Sequence, residues 1–353
     1  MNNFQLIIIA IACLTSVATA LPGVFLVLRG IALMSDAISH AILPGIVLMF
    51  FLVHSLESPL LILGAALAGI ATVLITEKII DSKRLKKDSA IGIVFPLFFS
   101  VGIILISLYA RNVHLDTDMV LLGELAFAPF NRLELWGADW GPRALWSMGI
   151  IALINSAFVF GCYKELQLTT FDPELSRILT FNPAYLYYAL MVLTSITAVG
   201  AFNVVGSIVV VALMITPPAT AYLLTNRLNV MISLSIALGI MASIGGYWLS
   251  HILNVSIAGA IATMSGFLFL CTLLFAPQKG LLATYFMNRR NKRIIALQLL
   301  RTYLESATSR RASLTALSHD LGWPRSYLIN LATENDDYAL LMQDEETYIL
   351  LSK

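Results

Sequence analysis

Nine apolar stretches, each close to twenty residues, recur along this chain and decide what it can fold into. They fall at about 4–28, 31–53, 59–80, 89–109, 145–163, 184–201, 204–225, 229–250 and 257–276, the length that crosses a hydrocarbon layer as helix. Soluble domains carry about 25% charged residues, whereas this 353-residue chain carries 12% and is 58% hydrophobic. No single soluble core absorbs so much apolar sequence. The chain reads as an all-α, polytopic helical membrane protein with about eight to nine transmembrane helices. A re-entrant segment would change the count and the side on which the N-terminus lies.

The first stretch has the look of a secretory leader, with Leu6–Leu14 followed by Ala18-Thr19-Ala20. No basic residue precedes it and apolar sequence continues to Leu28, so it reads as a retained first span, kinked near Pro22-Gly23. Basic residues set the orientation. Placing the run Lys83, Arg84, Lys86, Lys87 in the cytoplasm also places Arg29, Lys78, Lys164, Arg177 and Arg227 there, and leaves Arg111, Arg132 and Arg143 outside. The N-terminus is then external and the C-terminus cytoplasmic. The connection from Ala110 to Arg143 is an external acidic loop with Asp116, Asp118, Glu124, Glu134 and Asp139 and a short apolar piece, Met119–Ala128.

Past Pro277 the character changes: 10 of the 22 Lys and Arg and 8 of the 21 Asp and Glu lie there. The chain thus divides into a transmembrane part, 1–276, and a cytoplasmic tail, 277–353. Within the tail, Lys292–Ser306, Ser313–Leu321 and Pro324–Ala332 read as helices, and Tyr338–Leu341 with Thr347–Leu351 as a hairpin. That is a winged-helix-like order. Its recognition-helix segment, Pro324–Ala332, carries Arg325 as its one cation, which is thin for reading DNA, so no nucleic-acid partner is expected and a regulatory or interaction module fits better.

Against this apolar background, Asp36 and His40 stand out. An ionisable residue in the middle of a span costs about 2.5–3.5 kcal/mol or more. Two of them four apart share one helical face, with Cβ atoms roughly 5–6 Å apart. A carboxylate and an imidazole so placed are able to hold one divalent cation, with ligand distances near ~2.1 Å. Pro44 offers no N–H to the carbonyl of His40, which frees an oxygen beside the two side chains. The bland alternative is a structural hydrogen bond that pins two spans together, since buried polar groups must be paired somehow.

Two further segments carry information. In Phe171-Asp172-Pro173-Glu174-Leu175-Ser176-Arg177, Asp172 suits a helix N-cap, Pro173 the first helical position and Glu174 the positive end of the dipole. This predicts a short cytoplasmic helix over 172–179, either a plain connector or a lever that docks on another protein. In Met214-Ile215-Thr216-Pro217-Pro218-Ala219-Thr220, two prolines are expected to break the hydrogen-bond ladder of a span, as a kink or as part of a transport pathway. The phosphate-binding pattern G-x-x-x-x-G-K-[ST] does not occur, so ATP hydrolysis is not expected from this chain by that route. Cys13, Cys162 and Cys271 have no C-x-x-C spacing and read as buried thiols. His54, His114, His251 and His319 lie at span ends, in the external loop or in the tail.

The run Arg29-Gly30-Ile31-Ala32-Leu33-Met34-Ser35-Asp36-Ala37-Ile38-Ser39-His40-Ala41-Ile42-Leu43-Pro44-Gly45 resembles the signature of the manganese/zinc/iron permease family of bacterial ABC importers. Asp88-Ser89-Ala90-Ile91-Gly92-Ile93, Leu121-Leu122-Gly123, Phe171-Asp172-Pro173-Glu174-Leu175 and Val205-Gly206 through Pro217-Pro218-Ala219-Thr220-Ala221 resemble the same family in the same order, over roughly 4–276. The resemblance implies a permease subunit of the bacterial cytoplasmic membrane that works as a homodimer or as a heterodimer with a sister permease, in contact with membrane lipid. It further implies separate cytoplasmic ATPase subunits and an extracytoplasmic metal-binding protein. Asp36 and His40 match the family's intramembrane pair for the transported ion (Mn, Zn or Fe), with no cofactor bound permanently, and Asp172, Pro173, Glu174, Leu175 and Arg177 match the helix that engages the ATPase. The chain itself is then not an enzyme. Two alternatives compete: an ion-coupled secondary metal transporter, in which the pair relays protons, and a membrane-anchored sensor with the tail as output.

Overall fold

A computed structural model describes residues 3–54, 60–109, 125–135, 138–178, 183–277, 279–306, 311–333, 338–343 and 346–351. The chain forms two compact units, Met1–Ala276 and Pro277–Lys353. The described residues of the first unit include nine helices long and apolar enough to span a bilayer. They are α1 (Asn3–Leu28), α2 (Met34–Val53), α3 (Leu60–Asp81), α4 (Lys87–Tyr109), α5 (Arg143–Gly161), α8 (Pro183–Val205), α9 (Ser207–Leu224), α10 (Leu228–Leu253) and α11 (Ile257–Phe275). Two short helices, α6 (Tyr163–Phe171) and α7 (Pro173–Ile178), lie between α5 and α8. The first unit is a multi-pass, all-α integral membrane protein.

The second half of α1 is buried on every side, from Ala18 through Leu26. A helix apolar all round belongs in the middle of a bundle, and α1 packs on α5, α8, α9 and α10. Lipid tails are as apolar as leucine, so small residues and polar contacts hold such helices together. The Asn155 amide of α5 donates to the Ala18 carbonyl at 2.8 Å and to Thr197 Oγ1 of α8 at 2.7 Å. Ser243 of α10 donates to the Ala12 carbonyl at 3.2 Å. Where α2 crosses α3, Gly45 and Gly64 face each other; a Cβ on Gly45 would overlap the Gly64 carbonyl oxygen and come within 2.7 Å of Ala68 Cβ.

The prolines do not interrupt their helices. α1 runs on through Pro22 and α9 through Pro217 and Pro218, so the ladder bonds that Pro217 and Pro218 are unable to donate are lost without ending the helix. Neighbours hold the weakened turns in place: a Cβ on Gly23 of α1 would come within 3.1 Å of Pro218 Cγ, and one on Gly239 of α10 within 3.6 Å of Pro217 Cγ. Packing of this kind is what lets proline persist inside a membrane helix. The break instead falls at Gly206, which alone joins α8 to α9 at φ 83°, a backbone region that glycine enters at little cost.

Of the connection between α4 and α5, residues 110–124 lie outside the described residues, with Asp116, Asp118, Glu124 and the Leu121-Leu122-Gly123 motif. The described part adds a hairpin that the sequence reading missed, β1 (Arg132–Leu135) paired antiparallel with β2 (Ala138–Pro142). Arg132 pairs with Asp139, whose other carboxylate oxygen accepts from the Gly141 backbone at 2.9 Å.

The second unit runs α12 (Leu281–Ser306), β3 (Arg311–Ser313), α13 (Leu314–Leu321), α14 (Arg325–Thr333), β4 (Tyr338–Gln343) and β5 (Glu346–Leu351). Its antiparallel sheet has the order β3-β5-β4. Leu300, Leu304, Leu317, Leu328 and Ile349 fill its core. Ser313 caps α13 by accepting from the Ala316 backbone at 3.2 Å, and Gly322 at φ 66° ends it. The Tyr303 hydroxyl donates to Asp320 at 2.5 Å, and this bond, helped by His319, holds the Asp320 carboxyl below its usual range.

Two outcomes are expected from this packing. Gly45→Ala should destabilise the bundle by about 1–3 kcal/mol through overpacking, read as a lower thermal midpoint of the detergent-solubilised protein. Asn155→Leu should cost about 1–2 kcal/mol, the range for interhelical hydrogen bonds in membranes, and a midpoint equal to that of the unaltered protein would show that the amide carries no load.

Candidate functional site

Asp36 lies in the first turn of α2 and His40 in the second. The His40 Nε2 and Asp36 Oδ1 atoms are 3.3 Å apart. The face that carries them is not sealed: the side chains retain 29% and 36% exposure in the isolated chain. Ala37, Ile38 and Ala41, on the other faces of the same turns, are fully buried. The pair therefore lies along the margin of a packed helix, open on one side.

Depth follows from the neighbours of Ile38. A Cβ on Gly69 would meet Ile38 Cγ2 at 3.1 Å, and Gly69 is the tenth residue of the 22-residue α3. The turns that hold Asp36 and His40 are thus level with the middle of α3. Before α2 the chain turns sharply: Gly30 takes φ 66°, its N–H bonds the Val27 carbonyl at 3.1 Å, and the Ile31 N–H bonds the Leu26 carbonyl at 3.0 Å. This is a Schellman end to α1, with Ile31 packed back beside Leu26, both of them buried.

α4 supplies the wall. The His40 ring lies 5.7 Å from Phe95 and, edge-on, 5.9 Å from Phe99, centroid to centroid. One turn beyond His40, Pro44 is buried against α4, where a Cβ on Gly102 would stand 3.0 Å from its nitrogen. Pro44 leaves the His40 carbonyl without an intrahelical donor. Among the described residues no group of three or more His, Cys, Asp or Glu converges. A cation at the pair would have two protein side-chain ligands and complete its shell with carbonyl oxygen or water. The structure brings together Asp36, His40 and, a turn away, Pro44; Pro217 and Pro218 lie on α9, packed against α1 and α10.

The predicted polar helix is present as α7, and Asp172 caps it: Oδ1 accepts from the Leu175 N–H at 2.9 Å, the third helical position where an N-cap bond belongs. Pro173, Glu174, Leu175 and Arg177 are exposed on this helix. Leu179, the last residue of the expected helix, lies outside the described residues. Sequence reading missed α6, which precedes it, and the contacts made there. Arg29 Nε donates to Thr170 Oγ1 and Nη2 to Thr169 Oγ1, each at 3.2 Å. The guanidinium stands 5.4 Å from the centroid of the Tyr187 ring of α8, and Glu77 of α3 acts electrostatically on both groups. Burial pulls the Arg29 pKa below its usual value, with Tyr187 and Glu77 opposing. No sequence spacing links residues 29, 77, 169 and 187; only the fold does.

The first unit corresponds to a known family. The model of the ABC 3 transport family matches residues 1–276. A manganese transport system membrane protein, MntD of Bacillus subtilis strain 168, is 40% identical over 280 residues, covering 79% of this chain and 95% of the relative. The zinc transport system membrane protein TroD of Treponema pallidum is 46% identical over 286 residues, 81% of this chain and 77% of the relative. Among solved structures, PsaBC from Streptococcus pneumoniae in complex with Fab superposes with a TM-score of 0.63 at 30% identity, covering 79% of this chain and 94% of that one. With the matched model spanning the whole membrane unit and relatives similar along nearly all of it, the chain belongs to the ABC 3 transport family.

Proposed function

We propose that this chain is the membrane-spanning permease subunit of an ATP-driven importer of divalent transition-metal ions (Mn, Zn or Fe), and that Asp36 and His40 hold the ion in transit. The observation that carries the reading is the placement of this carboxylate–imidazole pair level with the middle of a span, half-open and walled by Phe95 and Phe99. Charge at that depth is costly and is retained where it marks an ion route. The names of the manganese and zinc relatives support the choice of cargo. An oxygen–nitrogen pair with no thiolate suits these ions, and selection among them rests on geometry and availability.

In this reading two permeases, either two copies or this chain with a sister, form the route between them within the bacterial cytoplasmic membrane. ATPase subunits on separate chains engage the exposed face of α7 through Pro173, Glu174, Leu175 and Arg177, with Asp172 fixing the start of that helix. An extracytoplasmic metal-binding protein delivers the ion, and the C-terminus lies in the cytoplasm. Asp36 contributes a negative oxygen and neutral His40 a nitrogen; Pro44 frees the His40 carbonyl and helps hold the pair against α4. Two side-chain ligands make a shallow site, and a transport site must release what it binds. The bundle 1–276 is the transport domain and the tail 277–353 a winged-helix-like accessory module: helix, strand, two helices and a hairpin around one small core.

Asp36→Ala and His40→Ala should each abolish metal uptake in reconstituted vesicles and leave assembly intact by size-exclusion chromatography. Loss of folding in both would mean that the pair is only structural. Uptake by the unaltered complex should fall as the external medium is acidified, because imidazole coordinates only when deprotonated. Uptake that persists without ATP and collapses with the proton gradient would establish a secondary carrier instead. Deletion of 288–353 should leave uptake within about twofold of the full chain, since removing a self-contained domain spares the core of its neighbour; abolished uptake with an intact bundle would make the tail part of the transport machinery.

A further inference from the structure

We propose that Arg29 is the positioning residue that ties the ATPase-docking segment to the ion pair, so that movement of α7 resets the start of α2. The proposal rests on the importer reading and extends it to a residue outside the ion site and outside the docking face.

The Arg29 guanidinium grips the last turn of α6 through Thr169 and Thr170. Two residues after Thr170, Asp172 caps α7, so α6 and α7 meet at a single capped corner with no slack between the Arg29 contacts and the docking helix. The same guanidinium lies over the Tyr187 ring of α8, and Glu77 of α3 acts electrostatically on both groups. The Arg29 carbonyl accepts from Lys87 Nζ, at the start of α4, at 2.9 Å. One residue thus meets α6, α8 and α4 directly, and α4 is the helix that carries Phe95 and Phe99.

The backbone beyond Arg29 is stiff. Gly30 and Ile31 close the Schellman turn on Val27 and Leu26; the Met34 N–H bonds the Ile31 carbonyl at 3.0 Å and the Ala37 N–H bonds the Leu33 carbonyl at 3.0 Å. Hydrogen-bonded backbone therefore runs from Arg29 into the turn that presents Asp36. A shift of α6–α7 pulls the guanidinium and must either break both threonine bonds or move the first turn of α2. Anchoring alone would need neither the fork nor its place at the head of this turn. A planar fork with directed donors transmits direction in a way that the ammonium point charge of lysine does not.

The test uses the complete complex of this chain with its ATPase subunits in proteoliposomes, with Mn²⁺ as the ion. ATP hydrolysis, Mn²⁺ uptake and Mn²⁺ binding without ATP are measured for Arg29→Lys and for the double variant Thr169→Val, Thr170→Val, which leaves Arg29 in place if the first fails to assemble. The expected result is Mn²⁺ binding unchanged, hydrolysis within about twofold, and ATP consumed per imported ion raised about tenfold, inside the usual range for coupling between sites. Hydrolysis and uptake falling in proportion, or a ratio that does not move in either variant, would overturn the proposal. Unaltered complex that imports Mn²⁺ without ATP would remove the importer reading and this coupling with it, whereas ATP-dependent uptake with unmoved ratios would remove the coupling alone.

Discussion

Hydrocarbon tolerates a carboxylate only where protein has replaced lipid around it, and the bundle is organised to meet that demand. α2 presents Asp36 and His40 on one face, and its other faces are closed by contacts that need small residues. Gly45 and Gly64 let α2 lie on α3, Gly69 admits Ile38, and Gly102 lets α4 reach Pro44. Each sets how near the backbones come, and so whether two aromatic rings of α4 are able to flank the imidazole. The central helix α1, buried through its second half, then carries the chain into the turn that starts α2.

The apolar segments were legible because lipid demands them: length and composition alone locate nine spans within a few residues of the observed ends. The proximity of Asp36 and His40 was legible for the converse reason, as two titratable residues one helical turn apart in sequence that excludes water. Asp172 and Pro173 announced α7 through capping chemistry, which is local. The elements that escaped depend on tertiary contact or are too brief to show a pattern. α6 has no side-chain cap at Cys162 and a mixed composition, so nothing marked its start. β3 has three residues, too few to show alternation, and β1 with β2 lacks the Asn-Gly or Asp-Gly signal of a tight hairpin. At the prolines local chemistry demands a lost hydrogen bond, but neighbouring helices decide whether the backbone departs from helix, and Gly23 and Gly239 bring those neighbours close.

The C-terminal unit is built differently. Its core is a handful of leucines, an isoleucine and alanines, and its helices are fixed by a serine cap and a left-handed glycine in the manner of a soluble domain. Three helices and a hairpin were readable from periodicity. The strand that completes the sheet was not, because β5 lies between β3 and β4 and the pairing of β3 with β5 joins residues far apart in sequence. The family match ends at residue 276, where the first unit also ends, and the spans and the ion pair all lie before that point.

The place of Asp36 in the opening turn of α2 has a consequence for any passenger. Aligned peptide dipoles leave roughly half a positive elementary charge at the start of a helix. There it favours the resident carboxylate but opposes a divalent cation held beside it. In the proposed importer such a site would keep its own anion firmly and its guest loosely. A site at the other end of the same helix would reverse both preferences and turn a stepping stone into a trap.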